Sequence, residues 1–449
     1  MLRKNWKTAA FTLAGLGLMT PAQGDQIADM QAQIDSLRAE LSQVKVDQGD
    51  NWLNERRAEE VKGLIMEVLS DADTRASLLG DGATAGYGEH GFFIMSPDNA
   101  FALYISGQLQ FRYIWNNQDT GSPGANPDED EGGFQTRRAK IKFNGHISSP
   151  KIGYHLVLAH ERTNGNTFLE EYDVNYQVND NLQVAGGLMK LPFLREELIS
   201  STRQLAVERS SVNEFFTLNR GEGVRLRYDD GPVLINFMLS DGANSGPNAS
   251  TNGDFNQDKS ELALTGRVDY LVQGDRSQGK DFRGWSGEEQ FLNFGVAYHL
   301  EYGDARNGGT ADFHAYTIDA QWENGPYNAY LAYIGASTSP DSGAVDNRQM
   351  NGLVLQGGVD IDPDKVDFFG RWGYIDGDVR GESPVNIYTA GFNYYINGHQ
   401  TKFTTDVVWL DNMLPAATAF GANPASTGLG LISGTDNELA VRSQIQVLF

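Results

Sequence analysis

Asp436–Phe449, DNELAVRSQIQVLF, closes the chain and decides how the rest of it is read. Leu439, Val441, Ser443, Ile445, Val447 and Phe449 fall on one face, and Glu438, Ala440, Arg442, Gln444 and Gln446 on the other. That period of two belongs to a strand with one apolar and one polar side. Chain ends fray unless something ties them down, so an alternating strand that finishes on an aromatic residue needs a partner. A closed transmembrane barrel supplies one: the last strand pairs with the first, apolar residues meet lipid, polar residues meet the lumen, and no edge is left open. The competing reading is the edge strand of a soluble sandwich.

Working back from this strand, the same alternation recurs. FALYISGQLQFRYIWN, residues 101–116, puts Leu103, Ile105, Leu109, Phe111, Tyr113 and Trp115 on one face and Ser106, Gln108, Gln110 and Arg112 on the other. Further strands are expected near 134–147, 151–162, 168–179, 182–191, 222–229, 232–240, 260–272, 291–303, 312–324, 326–336, 350–361, 366–376, 385–397 and 401–411. With the first and last strands they make sixteen, and an even count returns both ends of a barrel to one side of the membrane. Ser148-Ser149-Pro150, Asn179–Asn181, Asp229–Pro232, Asn324–Pro326, Asp362–Lys365 and Asn397–His399 are tight-turn sequences. They alternate with long polar or acidic connections. The connection 273–290 is too long for its place among the short turns. Trp115, Tyr172, Tyr302, Trp322, Tyr327 and Tyr374 stand toward strand ends on the apolar face, as residues of an interfacial aromatic belt do. A soluble propeller is the other all-β candidate, but no blade-length period is present.

Before the barrel, residues 1–24 read as a secretory signal. Arg3, Lys4 and Lys7 precede an apolar run too short to span a bilayer, and Ala22 and Gly24 fit a cleavage site. Residues 25–48 carry Ile27, Met30, Ile34, Leu37, Leu41 and Val44 at alternating spacings of three and four, the seam of a short coiled coil. Residues 49–100 then read as a linker. It has a helical stretch bearing Val61, Leu64, Ile65, Val68 and Leu69, and a glycine-rich hinge, GDGATAGYGEHG at 80–91. The barrel occupies 101–449. An absence of cysteine fits an oxidising compartment. The negative mean hydropathy argues against a helical bundle, not against a barrel whose strands are half polar. A formal net charge of -24 disfavours nucleic acid and anionic membrane surfaces as partners.

Strict alternation places Arg112, Arg138, Lys140, Lys142, Arg225, Arg227, Arg267, Arg371, Lys402 and Arg442 in the lumen. It places Glu161, Glu171, Asp173, Glu261, Asp269, Glu301, Asp319, Asp367, Asp406 and Glu438 there too. Basic residues gather on the second and sixth strands and acids elsewhere, a layout that screens solutes by charge and dipole unless the charges pair across the sheet. The long connection LPFLREELISSTRQLAVERSSVNEFFTLNRGEG, residues 191–223, is too apolar for a solvated loop. Folded inward over 192–220 it would narrow the channel and bring Arg195, Arg203, Arg209 and Arg220 beside the basic strands, together with Glu196, Glu197, Glu208 and Glu214. One guanidinium about 7 Å from a monoanion contributes roughly 0.6 kcal/mol in bulk water and about 2.4 kcal/mol at an effective dielectric of 20. Several together favour anions without making release slow.

No nucleophile-and-base constellation, metal-ligand spacing or cofactor motif is found, so neither an enzyme nor a cofactor is expected. The seven histidines are scattered, and His155 reads as a polar lumen residue. Asp360, Asp362 and Asp364 faintly follow calcium-loop spacing, but Lys365 stands where glycine is required and the region reads as a turn. The acidic run DEDEGG at 128–133 reads as a solvated loop.

QTRRAKIKFNGHI at 135–147, GGLMKLPFLREELISS at 186–201 followed by RQLAVERSSVNEFF, VDFFGRWGYID at 366–376 and GFNYYINGHQTKFTTDVVWL at 391–410 resemble signatures of the phosphate-selective porin O and P family. The closing strand resembles the C-terminal signature of outer-membrane barrels. The resemblance spans about 101–449. It implies a homotrimeric sixteen-stranded barrel in outer-membrane lipid, with an inward third loop and a pore lined by arginine and lysine. It carries over to Arg138, Lys190, Arg195 and Arg371. The resulting expectation is a passive channel for small solutes with a preference for anions such as phosphate, its N-terminal segment in the periplasm. The alternative is a structural protein whose coiled coil contacts the cell wall and organises the envelope.

Overall fold

The computed structural model describes residues 34–38, 82–88, 91–119, 130–243, 262–302, 311–340, 347–378, 383–415, 419, 428–431 and 436–449. The chain divides into two units, Met1–Asp81 and Gly82–Phe449. In the first, residues 34–38 are helical and exposed. The rest of the expected signal, coiled coil and helical stretch lies outside the described residues. The second unit is the barrel.

The barrel's sixteen strands are β3 (Ala102–Asp119), β4 (Asp130–Ile147), β5 (Ser149–His160), β6 (Thr167–Gln177), β7 (Leu182–Lys190), β8 (Arg220–Asp230), β9 (Val233–Ser240), β10 (Leu262–Gln273), β11 (Phe291–Tyr302), β12 (Ala311–Asn324), β13 (Tyr327–Pro340), β14 (Arg348–Asp362), β15 (Val366–Asp376), β16 (Val385–Asn397), β17 (Thr401–Leu410) and β18 (Asp436–Leu448). Each pairs antiparallel with its sequence neighbour, and β18 returns to β3 with Gln444 opposite Arg112 and Gln446 opposite Gln110. Outward positions keep the apolar residues exposed, Leu109, Phe111 and Tyr113 on β3 and Ile445 and Val447 on β18 among them. Their neighbours Gln108, Gln110, Arg112, Arg442, Gln444 and Gln446 are buried on the inner face. Lipid outside and polar groups inside thus enforce the period of two that the sequence displays.

The glycine-rich run expected to be a hinge instead contributes a hairpin, β1 (Thr84–Gly88) and β2 (Gly91–Met95). β2 pairs with β3 from Met95 opposite Ala102 to Phe92 opposite Ile105, the part of β3 that lies beyond the end of β18. An exposed strand edge seeks a partner, and the hairpin covers this one. Gly91 has φ +93°, and a Cβ there would run into the Ile105 carbonyl, so the close approach requires glycine.

Among the register breaks of the sheet, two fall at charged pairs. Opposite β3, Gln110 faces Arg138 and Phe111 faces Thr136, so Arg137 is the extra residue. Between β5 and β6, Val157 faces Glu171 and Leu158 faces Leu169, which leaves Glu170 extra. A bulge re-aims a side chain. Arg137 and Arg138 both turn inward as a result, and so do Glu170 and Glu171.

Candidate functional site

The connection between β7 and β8, residues 191–219, runs through the barrel and is held there by the wall. It contains two short helices, α1 (Arg195–Leu198) and α2 (Ser211–Phe216), the second capped by Ser210, whose Oγ accepts from the Asn213 amide at 2.9 Å. Buried backbone outside helices and sheets still needs hydrogen-bond partners. Inward side chains of the barrel supply them. Gln110 donates to the Ser201 carbonyl at 3.2 Å, Gln446 to Thr202 at 3.0 Å, Lys402 to Gln204 at 2.7 Å and Asn393 to Leu205 at 2.9 Å. Asp406 accepts from the Val207 amide at 2.9 Å. Within the loop, Arg209 donates to the carbonyls of Glu196, Glu197 and Ile199, and Glu196 accepts from the amide and hydroxyl of Ser210 at 2.6 Å each.

The apolar side of the loop packs against one wall of the barrel. Val212 and Phe216 of α2 lie against Gly352 of β14 and Gly373 of β15, where any Cβ would meet them. Around them Leu205, Phe215, Ile375, Val385, Ile387 and Leu410 form a buried cluster. Burial of this kind stabilises by about 25 cal/mol per Å² of apolar surface. The loop is therefore packed on β14–β17 and leaves space on the opposite wall.

Many of the expected pore cations are committed to carboxylates. Glu208 is fully buried and accepts from Arg112 at 2.7 Å, Arg137 at 2.5 Å and Arg138 at 2.8 Å. Burial pushes the Glu208 carboxyl up, but Arg137, Arg138 and Arg112 together hold it well below the ordinary range. Arg371 reaches Glu196 at 3.5 Å and the Glu208 carbonyl at 3.1 Å. Arg442 forms a bidentate pair with Asp406, both bonds at 2.7 Å. Arg267 is shared between Asp269 and Asp319. Three expected pore-lining residues are thereby corrected. Arg112 and Arg442 are 1% exposed and Arg371 is 7% exposed. Alternation assigned them to the inner face correctly, but Glu208 and Gly428 cover Arg112, Glu196 and Glu208 cover Arg371, and Asp406 and Leu429 cover Arg442.

The space beside β4–β8 is a cavity of about 370 Å³ lined by seven basic and four acidic residues. Arg138, Lys140, Lys142, Lys190, Arg209 and Arg220 all reach it, as does Arg137, which strict alternation missed. Its acids are Glu170, Glu171, Glu197 and Glu214. Lys140 pairs with Glu170 at 2.5 Å, Arg220 with Glu171 at 2.6 Å, and Lys190 lies 3.8 Å from Glu197. Toward the end of the barrel that carries Phe449, the cavity continues past Lys142 and His155 into a second of about 800 Å³ that Arg203 also lines. A third, of about 660 Å³, runs from Arg203 along Arg195, Arg225 and Arg227. The three meet around Leu198–Arg203 of the loop. Here the cations are least compensated: among the described residues Lys142 and Arg225 form no ion pair, and Arg203, 43% exposed at its side chain, lies 3.7 Å from Asp281. His155 sits 3.4 Å from Asp173 on the same wall.

The long connection 274–290 also folds into the barrel, from the end that carries Phe449. Phe282 packs on Tyr330, and the Arg283 guanidinium lies between Trp285 and Tyr395 at 3.8 and 3.9 Å from their ring centres. Asp360, from the weak calcium pattern, faces Arg283 at 3.1 Å and accepts the Asp364 amide within a turn.

This arrangement leaves open space along one wall of the barrel. Solved structures of similar architecture include an anion-selective porin from Comamonas acidovorans, at 13% identity and TM-score 0.53, covering 78% of this chain and 100% of that one. Another is the outer-membrane OmpT of Vibrio cholerae, at 8% identity and TM-score 0.51, covering 78% of this chain and 98% of that one. OmpT described in a trimer form aligns at 8% identity and TM-score 0.51, over 77% of this chain and 99% of that one. At such identities the likeness bears on fold alone. No curated protein matches the sequence. A family model for phosphate-selective porin O and P matches residues 108–346, more than half of the chain, so the outer-membrane barrel with its inward loop belongs to the phosphate-selective porin O and P family.

Proposed function

We propose that the protein is a passive channel preferring small anions, with the solute path confined to the β4–β8 wall beside Leu198–Arg203. The observation that carries this reading is the excess of cations where the three cavities meet. Acids along the path are mostly bound to neighbouring cations, whereas Lys142 and Arg225 form no ion pair among the described residues. A transported ion must be attracted and yet released, which suits a few cations on a wet wall better than a closed cage. Phosphate fits this chemistry, as other small anions do. In this reading both barrel ends lie on the periplasmic side, where a processed N-terminal coil would stand.

The wall also supports assembly into trimers. β7 has 9 residues and β9 has 8, against 18 in β3 and β4. At ordinary tilt an eight-residue strand rises only about 20 Å, short of the roughly 25 Å apolar band of an outer-membrane barrel. Outward Val224, Leu226, Ile235, Phe237 and Leu239 on this low side are exposed in the single chain. They suit contact with neighbouring copies.

Planar bilayers with a potassium chloride gradient test the function. The reversal potential of the wild type should show chloride preference, and Lys142→Gln with Arg225→Gln should reduce it severalfold while channels still insert. Absence of an open channel, or clear cation preference in the wild type, would refute the proposal.

A further inference from the structure

We infer that Asp281, which lies in the tucked connection 274–290, positions Arg203 at the meeting point of the cavities and sets how strongly the channel prefers anions. The inference rests on the anion-channel reading above and adds a residue that solutes barely meet. Arg203 lines two of the three cavities and is 43% exposed, whereas the Asp281 side chain is 8% exposed. Their separation of 3.7 Å is an ion pair without a tight hydrogen bond. The carboxylate thus holds the guanidinium against the tucked connection and back from passing anions.

The surroundings fix Asp281 and leave Arg203 adjustable. One carboxylate oxygen accepts the Arg283 amide at 2.8 Å, and the other faces His399 at 3.2 Å and the Trp285 indole at 3.4 Å. The Asp281 carbonyl accepts from Gln321 at 2.5 Å. Two residues on, Arg283 is fully buried between Trp285 and Tyr395, with Asp360 at 3.1 Å and Asp367 at 3.5 Å. Ring faces on both sides and two facing carboxylates hold this guanidinium by cation–π and charge attraction, without a hydrogen bond from its nitrogens among the described residues. The same connection meets the loop a second time, where Arg195 donates to the Gly279 carbonyl at 3.1 Å. It is the floor on which the constriction rests, and Asp281 is its charged contact with the path.

Three variants decide the matter in planar bilayers: Asp281→Asn, Arg203→Gln and the two combined, each checked for barrel assembly by heat-modifiable migration. Asp281→Asn should raise the chloride-to-potassium permeability ratio about threefold, the factor that one guanidinium released to roughly 7 Å from the path produces in water-like surroundings. Arg203→Gln should lower the ratio, and the double variant should match Arg203→Gln, because the carboxylate acts through that guanidinium. Asp281→Glu, which keeps the charge, should stay near the wild type. Should Asp281→Asn not insert, Asp281→Ser keeps a short acceptor for the Arg283 amide and serves the same comparison. An unmoved ratio in the neutral variant overturns the inference, as does an equal shift with and without Arg203. A wild type lacking anion preference would instead refute the channel reading, so the two failures are distinguishable.

Discussion

Glu214, on α2, faces the 370 Å³ cavity and is half-buried. Burial, followed by the Glu197 carboxylate, raises its pKa to about 7 against the pull of Arg209 and Arg137. Below that value the group is neutral and the cavity cations act unopposed; above it one negative charge is added to an anion path. Raising the pH from about 6 to about 8 should therefore lower the chloride-to-potassium permeability ratio by about two- to threefold, the effect of a single nearby charge. Glu214→Gln should reduce that dependence by the share of one carboxylate, and a slope unchanged in this variant would assign it to the other titratable groups of the cavity. At this scale the sequence is partly legible. Inward placement of Lys140, Lys142 and Arg225 follows from alternation alone, since lipid and water allow no other parity. Partner choice does not follow, because Glu208 joins Arg112, Arg137 and Arg138 across long sequence separations. Arg137 and Glu170 were missed for a different reason: each is the extra residue of a bulge. Identical charges side by side, Arg137-Arg138 and Glu170-Glu171, were the available signal, since two like charges cannot both face one way in a regular strand.

At the scale of elements, the strands were legible nearly to their ends, whereas the packing of the inner loop was not. Its clue lies in β13–β17, which carry apolar residues on both faces: Ala332, Ile334, Val354, Ile375 and Ile387 point inward and are buried. Strands apolar on both sides are covered on both sides. Here the inner cover is the loop, and its closest approach depends on Gly352 and Gly373. Gly352→Leu should push Phe216 and α2 away from β14 and toward the solute path. Overpacking of this kind costs about 1–3 kcal/mol, and single-channel conductance should fall with it. Gly370→Ala is the control, because a Cβ there meets nothing within 4 Å. If Gly352→Leu conducts like the wild type, the loop is not held at the distance from the solute path that the glycine sets. The connection 274–290 shows the opposite failure of reading. Its excess length was evident, but the inward tuck was not, since Arg283 reveals its burial only through Asp360, Asp367, Trp285 and Tyr395, which lie on other elements or turns.

For the whole molecule, closure at the β3–β18 seam decides whether a barrel exists, and the last residue contributes to it directly. The Phe449 amide donates to the Gly107 carbonyl at 3.1 Å, and the Gly107 amide donates back to Phe449 at 2.6 Å. Gly107 shares the outward parity of Leu109 and Phe111, and the Phe449 ring lies on it where a Cβ would stand. The final aromatic therefore acts as a clasp over a glycine on the lipid side, just where β18 ends and β2 takes over the edge of β3. Gly107→Val should displace that ring and weaken closure, lowering stability by about 1–3 kcal/mol as overpacked sites do. Gly266→Val is the matched comparison, because that glycine has open space where its Cβ would go. Urea unfolding in lipid vesicles, followed by tryptophan fluorescence, should show a lower midpoint for Gly107→Val and little change for Gly266→Val. Equal midpoints would mean that the ladder alone closes the barrel and that the ring adds nothing. Ion selectivity should not distinguish the two variants, since neither position faces the lumen.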